Sequence, residues 1–218
     1  MGSARTTSRP GEGPSDTRRY DSPLRAKRAA ETKAALIAAA TERFIAKGWA
    51  NTGMRDVARD AGVAVETLYS HYSSKRKLLD AVIDEAVVGD DRPVAVAERP
   101  EFQVLGRGSR ASRVAAAASI TAGIHQRTGP FAKLIREAAA TDDEIAEVLR
   151  DTRERQRRDV AAGLALILGR PATEAERDGA WAILSPEVYL LLVHESGWSS
   201  GEYERWVSGT LARVLSRA

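Results

Sequence analysis

The stretch TGMRDVARDAGVAVETLYSHY, residues 52–72, carries the strongest structural signal in this chain. Its first half repeats apolar residues at the three- and four-residue spacing of one buried helix face: Met54, Val57, Ala58 and Ala61. Gly62 then supplies a permissive backbone that ends this helix. A second helix begins almost at once, with Leu68 and Tyr72 on its inward face. The stretch therefore predicts a helix-turn-helix, a motif whose second helix enters the major groove of DNA.

Length and composition limit the class of protein. At 218 residues and 43% hydrophobic content, the chain can bury a sizeable core. It has no cysteine, which excludes disulfides and thiolate metal sites and is compatible with a reducing cytoplasm. No apolar run approaches membrane-spanning length, and residues 1–20 lack the apolar core of a signal peptide. We expect a soluble cytoplasmic protein with no membrane attachment.

The net charge of +3 is mild, so its distribution is more informative than its total. Residues 25–85 carry eleven Lys and Arg against eight Asp and Glu, whereas residues 86–218 carry eighteen against nineteen. The positive excess therefore lies with the helix-turn-helix. It would attract a phosphate backbone, although a surplus of three is equally compatible with ordinary surface charge.

Composition divides the chain into four segments. Residues 1–21 have the composition of a disordered basic tail, in which Arg18 and Arg19 form either a solvated end or an arm for the minor groove. Residues 22–88 form the helix-turn-helix domain, which begins with Ser22 as a cap and Pro23 at the first helical position. Residues 89–108, rich in Asp, Pro and Gly, form a connection, and residues 109–218 form a larger helical domain.

The helix that follows the motif begins after Ser73 and Ser74, which are good caps. Lys75 lies in its first turn, where a cation is unfavourable beside the helix amino terminus unless an anion is near. This placement predicts a DNA phosphate that also accepts hydrogen bonds from the free backbone N–H groups.

Residues 109–218 show only helical periodicity, so we predict an all-α protein of about nine helices. Gly129 and Pro130 predict a break between two of them. Pro186 predicts either a kink or the start of a new helix. The run VYLLLV, residues 188–193, is apolar on every side and therefore needs cover from a partner subunit as well as from the local core.

The stretch 52–79 resembles the tetracycline-repressor (TetR) family of bacterial transcription regulators. The resemblance rests on an ordered series of short motifs: Arg55-Asp56-Val57-Ala58, Ala61-Gly62-Val63, Thr67-Leu68-Tyr69, His71-Tyr72, and Ser74-Lys75 with Leu78-Leu79. It implies an amino-terminal three-helix helix-turn-helix DNA-binding domain and a larger carboxyl-terminal helical domain for effector binding and dimerisation. It also implies a homodimer through about residues 173–217, a near-palindromic operator, and a small, often apolar effector that releases the DNA.

Position by position, the resemblance implies which residues contact DNA. Those that match DNA-contacting residues of the family are Arg55, Thr67, Tyr69, His71 and Lys75, with Tyr69 and Lys75 at phosphates. Base reading falls to outward positions of the motif: Arg55, Val65, Glu66 and Ser70. Arg can hold a guanine, Glu can accept from a cytosine amino group, and Val can pack on a thymine methyl group. For Arg55, Tyr69 and His71 the alternative is an exposed or partly packed side chain with no role in binding.

Three adjacent residues depart from the family pattern. Ala64, Val65 and Glu66 stand where the family commonly has Ser, Lys and Gly. The change removes a cap hydroxyl and a cation and places an acid near phosphates. The DNA sequence preference of this chain should therefore depend on these positions.

Candidates for an effector pocket come from helices expected to surround the core of the larger domain: His125, Phe131, Trp181 and Tyr189. A mostly apolar pocket with a few polar groups is typical of small-molecule sites. For each of these residues the alternative is ordinary core packing.

The sequence offers little for catalysis. The three histidines, His71, His125 and His194, lack metal-ligand spacing, and there is no Gly-x-Ser-x-Gly motif, phosphate loop or cysteine nucleophile. We therefore predict a DNA-binding transcriptional regulator, with no enzymatic activity, metal or cofactor, that acts as a dimeric repressor released by a small, largely apolar ligand. The alternatives are a regulator with no effector, and an all-helical enzyme or carrier.

Overall fold

The computed structural model describes residues 17–88 and 100–216, and within these ranges every regular element is helical. The amino-terminal helices are α1 (Thr17–Lys47), α2 (Met54–Asp60), α3 (Val65–His71) and α4 (Lys75–Val88). The carboxyl-terminal helices are α5 (Pro100–Gln103) with a 3₁₀ turn at Val104–Gly106, α6 (Arg110–Ala138), α7 (Asp143–Leu168), α8 (Glu174–Ile183), α9 (Pro186–Tyr189) with a π-helical segment at Leu190–Glu195, and α10 (Ser200–Ser216). The predicted all-α fold is confirmed.

α1 begins earlier than the sequence predicted. The cap was expected at Ser22 and the first helical residue at Pro23, but the helix runs from Thr17. Residues 17–21 of the predicted tail are therefore helical, while residues 1–16 of that tail and residues 89–99 of the predicted connection lie outside the described residues. The physical reason is that proline presets a helical backbone angle and removes only its own N–H group, so a helix can extend past it at the cost of one bond.

The amino-terminal helices enclose a core of fully buried side chains. Those that are 0% exposed are Leu36, Ala40, Phe44, Val57, Leu68, Leu78 and Leu79. Full burial of each large apolar side chain stabilises the fold by about 1.5–3 kcal/mol. The inward faces predicted for the two motif helices are confirmed at Met54, Val57, Ala58, Leu68 and Tyr72, which are all buried.

α6 connects the two sets of helices, because it packs against α4, α7 and α10. Its carboxyl-terminal half contributes Phe131, Leu134 and Ile135 to the core of the amino-terminal helices. Its amino-terminal half contributes Val114 and Ala117 to a second core shared with α7 and α10. One helix therefore fixes the helix-turn-helix relative to the rest of the molecule.

The helix break predicted at Gly129 and Pro130 is wrong, because α6 passes through both residues. Pro130 lacks the N–H group that would bond to the carbonyl of Gln126, which is a local loss of one bond. Buried residues lie on both sides of the proline, from Val114 to Ile135, and their packing outweighs that loss.

Pro186 starts a new helix. It is the first residue of α9, and the Ser185 hydroxyl accepts a hydrogen bond from the Val188 N–H at 3.3 Å. The apolar run that follows is π-helical over Leu190–Glu195, and Leu191 within it is 50% exposed. None of the described helices combines the length and the apolar character that a membrane crossing requires.

Candidate nucleic-acid interface and effector site

α3 is a two-turn helix that presents most of its side chains to solvent. Leu68 is its one buried residue and, together with the half-buried Val65, packs it onto the amino-terminal core. Tyr69 is 50% exposed, although its ring is large and mostly apolar. The remaining predicted DNA contacts on this helix are exposed or half-buried: Val65, Glu66, Thr67, Ser70 and His71. The helix is therefore held from one side and available for contact on the other.

The turn before α3 depends on Gly62. Its φ of +69° lies in the left-handed region that favours glycine. The N–H groups of Gly62 and Val63 donate to the carbonyls of Arg59 and Ala58 at 3.1 and 3.0 Å, which closes the end of α2. α3 then begins after Ala64 with no side-chain cap, as expected from the absence of a hydroxyl there.

α2 is held on α1 by a cluster of charges. Arg43 donates to Asp60 at 2.5 Å and lies 3.8 Å from Asp56, while Arg59 pairs with Asp56 at 2.7 Å. The hydrogen bond from Arg43 holds the pKa of Asp60 below its usual value. Arg55 is exposed and forms no ion pair with another described residue, so its guanidinium remains available for an anion.

Lys75 lies in the first turn of α4, as predicted, but its side chain is half-buried. The ammonium donates to the Trp49 carbonyl at 2.6 Å and lies 4.0 Å from the centre of the Trp49 ring. Burial lowers the pKa of Lys75, and the nearby carboxylates Asp142 and Glu144 oppose this effect. The predicted cap is present, since the Ser74 hydroxyl accepts from the Lys77 N–H at 3.2 Å.

Several contacts that fix the amino-terminal helices on the rest of the molecule were not predicted. Arg76 of α4 donates to Glu147 and Asp151 of α7 at 2.7 and 2.8 Å. Arg127 of α6 donates to the carbonyls at the end of α4, those of Ala86 at 2.8 Å and Val87 at 3.0 Å. The partners lie 40 or more residues apart along the chain, so local sequence patterns carry no signal for them.

Two of the four effector candidates lie together. The His125 ring is 5.5 Å from that of Tyr189, and its Nδ1 shares a hydrogen bond of 3.1 Å with the hydroxyl of Tyr203. Tyr189 and Tyr203 meet edge to face at 5.0 Å. Burial lowers the pKa of His125 to about 4, so its imidazole is neutral at pH 7. This group is a closed aromatic cluster with a satisfied polar centre.

The other two candidates lie elsewhere. Phe131 belongs to the core that α6 shares with the amino-terminal helices. Trp181 is half-buried on α8, beneath the guanidinium of Arg157 at 4.9 Å, and its Nε1 is buried without a hydrogen-bond partner. The four candidates therefore do not line one pocket, because composition selects aromatic residues without indicating which side of the core each one faces.

Two cavities lie near these residues. A cavity of about 40 Å³ between α6, α7 and α9 is lined by apolar groups and by Thr152, Arg153, Gln156 and Glu187. A wider cleft of about 930 Å³ opens between the amino-terminal helices and the end of α6. Its walls include apolar side chains such as Phe44, Pro130 and Leu190. Charged side chains line it as well: Lys47, Lys133, Arg136, Glu137, Asp142 and Glu195. The cleft falls in the size range of small-molecule sites, about 300–1,000 Å³.

Across residues 17–88 and 100–216, no three His, Asp or Glu side chains are grouped as a set of metal ligands.

An exposed second helix on a glycine turn, packed through one leucine onto a helical core, defines a helix-turn-helix DNA-binding protein. The sequence-family model described as bacterial regulatory proteins, tetR family, matches residues 36–82. The chain is 26% identical over 190 residues to the HTH-type transcriptional regulator TtgR of Pseudomonas putida, covering 82% of this chain and 89% of TtgR. It is 40% identical over 57 residues, 26% of each chain, to the HTH-type transcriptional activator FasR of Mycolicibacterium smegmatis.

Solved structures share the fold. A member of the TetR family from Streptomyces coelicolor superposes with a TM-score of 0.59 at 20% identity, over 84% of this chain and 97% of that one. MexZ, a repressor from Pseudomonas aeruginosa, gives a TM-score of 0.50 at 20% identity, over 84% and 94% of the two chains. Residues 36–82 therefore form a helix-turn-helix domain of the TetR type, and the chain is a DNA-binding transcriptional regulator.

Proposed function

We propose that this protein is a dimeric repressor that binds a near-palindromic operator and is released from it by a small, largely apolar ligand. The observation that carries the proposal is α3, which is fixed to the core through Leu68 and leaves Glu66, Tyr69, Ser70 and His71 exposed. A helix so held can insert into a major groove without loss of its own packing.

The contacts with DNA divide into positioning and reading. Tyr69 and Lys75 bind phosphates and fix the position of α3 on the duplex, and Thr67 and His71 also contact the DNA. Arg55, Val65, Glu66 and Ser70 face base edges. Glu66 accepts from a cytosine amino group, and Val65 packs on a thymine methyl group. In the free protein the Ser70 hydroxyl donates to the Thr67 carbonyl at 2.7 Å, so it must rotate to donate to a base.

The dimer forms through about residues 173–217. Support comes from the apolar surface of this region, where Leu191 is 50% exposed and Leu192 and Val193 are half-buried. Trp198 and Trp206, edge to face at 6.3 Å, are also half-buried beside it. Contiguous apolar surface of this kind is typical of protein–protein interfaces. A two-fold dimer places its two copies of α3, the recognition helices, on half-sites one helical turn of DNA apart.

The ligand acts by population shift. The 930 Å³ cleft has walls from both sets of helices, including Phe44 and Ile45 on one side and Pro130 and Leu190 on the other. A ligand in such a place contacts both sets, so it binds one relative arrangement of them more tightly than another. Release follows if the favoured arrangement spaces the two recognition helices wrongly for successive major grooves.

The test begins with a DNA duplex that the wild-type protein selects from a random pool. Tyr69→Ala and Lys75→Ala should each weaken binding to that duplex roughly tenfold, the loss of one charge-assisted or phosphate hydrogen bond. Neither change should alter the thermal shift produced by a bound ligand, found by screening hydrophobic metabolites and drugs. Unchanged DNA affinity in both variants would remove α3 and the start of α4 from the DNA contact, and a monomer at micromolar concentration would remove the dimer.

A second candidate function is a TetR-family regulator without a small-molecule effector. The observation in its favour is the closed interior of the carboxyl-terminal helices. The cavity between α6, α7 and α9 measures about 40 Å³, and His125, Tyr189 and Tyr203 nearby are 4%, 4% and 0% exposed. The same ligand screen decides between the two functions, because only the first predicts a compound that raises the melting temperature and lowers DNA affinity.

A further inference from the structure

Trp49 connects the loop after α1 to the amino terminus of α7. It is 6% exposed and stacks on Phe44 with ring centres 5.9 Å apart. Its Nε1 donates to the Asp142 carboxylate at 2.7 Å, across 93 residues of sequence. The ring is thus fixed by packing on one side and by a charge-assisted hydrogen bond on the other.

Asp142 is itself held in place. It is the cap of α7, and its Oδ1 accepts from the Ile145 N–H at 3.2 Å while Oδ2 accepts from Trp49. The hydrogen bond from Trp49, followed by that from the Ile145 backbone, keeps the pKa of Asp142 below its usual value. The carboxylate therefore links the first turn of α7 to the loop between α1 and α2.

Lys75 completes the group. Its ammonium donates to the Trp49 carbonyl at 2.6 Å and lies over the Trp49 ring at 4.0 Å. An ammonium group has three donors, so the carbonyl uses only part of its capacity. The position of this cation at the start of α4 is thus set by Trp49, and that of Trp49 by Asp142.

We propose that Trp49 and Asp142 are positioning residues for DNA binding, which hold the Lys75 ammonium where it meets a DNA phosphate. The inference rests on the proposed function, in which Lys75 contacts the backbone. It makes operator affinity depend on a hydrogen bond between the loop after α1 and the first turn of α7. A movement of α7 that lengthens this bond frees Trp49 and, through its carbonyl and ring, displaces Lys75.

The experiment measures affinity for the duplex selected by the wild-type protein, over a range of salt concentrations. Trp49→Phe keeps the stacked ring and the backbone carbonyl but loses the bond to Asp142. Asp142→Ala loses both that bond and the helix cap, whereas Asp142→Asn keeps the cap through its one amide oxygen and turns its NH2 group, which cannot accept, toward Trp49 Nε1. We expect roughly fivefold weaker binding for Trp49→Phe and Asp142→Ala, with a salt slope smaller by about 0.9 for each phosphate that the variant no longer neutralises. Asp142→Asn, which loses only the bond from Trp49, should show the same affinity and slope as Trp49→Phe.

Two controls separate positioning from general damage. Asp143→Ala removes an exposed acid from the next position of the same helix turn and should leave the affinity and slope unchanged. Circular dichroism and melting curves identify any variant that fails to fold. Asp142→Ala leaves the aromatic packing of Phe44 and Trp49 in place, so it tests the proposal if Trp49→Phe unfolds.

A double-mutant cycle with Lys75→Ala decides the outcome. If Trp49 acts through Lys75, adding Trp49→Phe to Lys75→Ala should change DNA affinity less than twofold. A full fivefold loss in that background would overturn the proposal, as would wild-type affinity and slope in both Trp49→Phe and Asp142→Ala. If Lys75→Ala binds as the wild type does, this inference fails while DNA binding through α3 stands. If the wild type selects no duplex at all, the proposed function itself fails.

Discussion

The exposed side chains of α3 depend on a buried neighbour for their position. Leu68 is 0% exposed, and the half-buried Val65 packs against the same core. These two contacts set the direction in which Glu66 and Tyr69 point. Arg43 has the same role for α2, since it holds Asp60 and Asp56 while Arg55 stays exposed. At the level of single residues, the surface offered to DNA is therefore determined by groups that do not touch it.

His125 should make the protein sensitive to mild acid. Its pKa is lowered by burial from an ordinary value of 6.5 to about 4, so its contribution to stability is complete above pH 6.5 and is lost as the pH falls toward 4. A pKa shift of this size corresponds to a loss of about 3 kcal/mol in the free energy of unfolding once His125 is protonated. Chemical denaturation of the wild type between pH 7 and 4 should show this loss, and His125→Leu should lack most of it. An identical profile for His125→Leu would contradict the assignment.

Glu176 should cause a second loss of folding stability, at lower pH than the loss due to His125. It is 2% exposed, forms a capping box with Thr173 and accepts two hydrogen bonds from Arg170 at 2.8 and 2.9 Å. The bonds from Arg170 lower its pKa to about 2, so the stability it adds is present above pH 4.5 and is lost as the pH falls toward 2. Glu176→Gln can keep the capping box, but one of the two bonds from Arg170 then meets an NH2 group and the charge pairing is lost, so the free energy of unfolding at pH 7 should fall by about 1–2 kcal/mol.

The control for Glu176 is Glu174→Gln in the same helix turn, where the side chain is 85% exposed and its ion pair with Arg177 spans 3.8 Å. That change should cost less than about 0.5 kcal/mol. The difference between the wild type and Glu176→Gln should shrink as the pH falls below 4, and a difference that stays constant down to pH 2 would refute the pKa assignment.

At the scale of helices, α6 offers a matched pair of glycines. A methyl group at Gly123 would meet only the end of Arg127, at 3.6 Å, so Gly123→Ala should stabilise the helix by about 0.5–1 kcal/mol. A methyl group at Gly129 would lie 3.3 Å from the Tyr189 ring, which is packed against His125 and Tyr203 and cannot move freely. Gly129→Ala should therefore raise the free energy of unfolding by less than Gly123→Ala does, or should lower it. Equal gains in melting temperature for the two variants would show that Tyr189 is not tightly packed.

The helix-turn-helix could be predicted because its signals are local. The apolar spacing before Gly62, the glycine itself and the inward Leu68 lie within a few residues of each other, and each has a physical reason to be there. The start of α1 and the continuity of α6 could not be predicted, because a proline at Pro23 or Pro130 breaks a helix only if tertiary packing does not outweigh one lost bond.

The site was predicted in part for the same reason. The exposure of Tyr69 on α3 follows from helical periodicity, whereas the contact of Lys75 with Trp49 and of Trp49 with Asp142 depends on how α7 packs against α4. No short-range pattern encodes a hydrogen bond across 93 residues. Likewise, residue type alone selected His125, Phe131, Trp181 and Tyr189 as candidates for one pocket, whereas the packing of His125 and Tyr189 beside Tyr203 is a property of the folded helices.

At the scale of the whole molecule, α4 is held from several sides. Arg76 pairs with Glu147 and Asp151, Arg155 pairs with Asp84 at 2.6 Å, and Arg127 binds the carbonyls of the last turn. Each exposed pair contributes about 0–1 kcal/mol, so none of them alone fixes the helix. Together they make the angle of the amino-terminal helices depend on α6 and α7, which is the coupling that a ligand-responsive regulator requires.

Footprinting of the duplex selected by the wild-type protein is the decisive measurement for DNA binding by a two-fold dimer through α3. Such a dimer should protect two related half-sites centred about 34–36 Å apart on one face of the duplex. Tyr69→Ala should lose this protection at protein concentrations where the wild type shows it. A single protected half-site, scattered protection without symmetry, or an unchanged footprint for Tyr69→Ala would contradict this mode of binding.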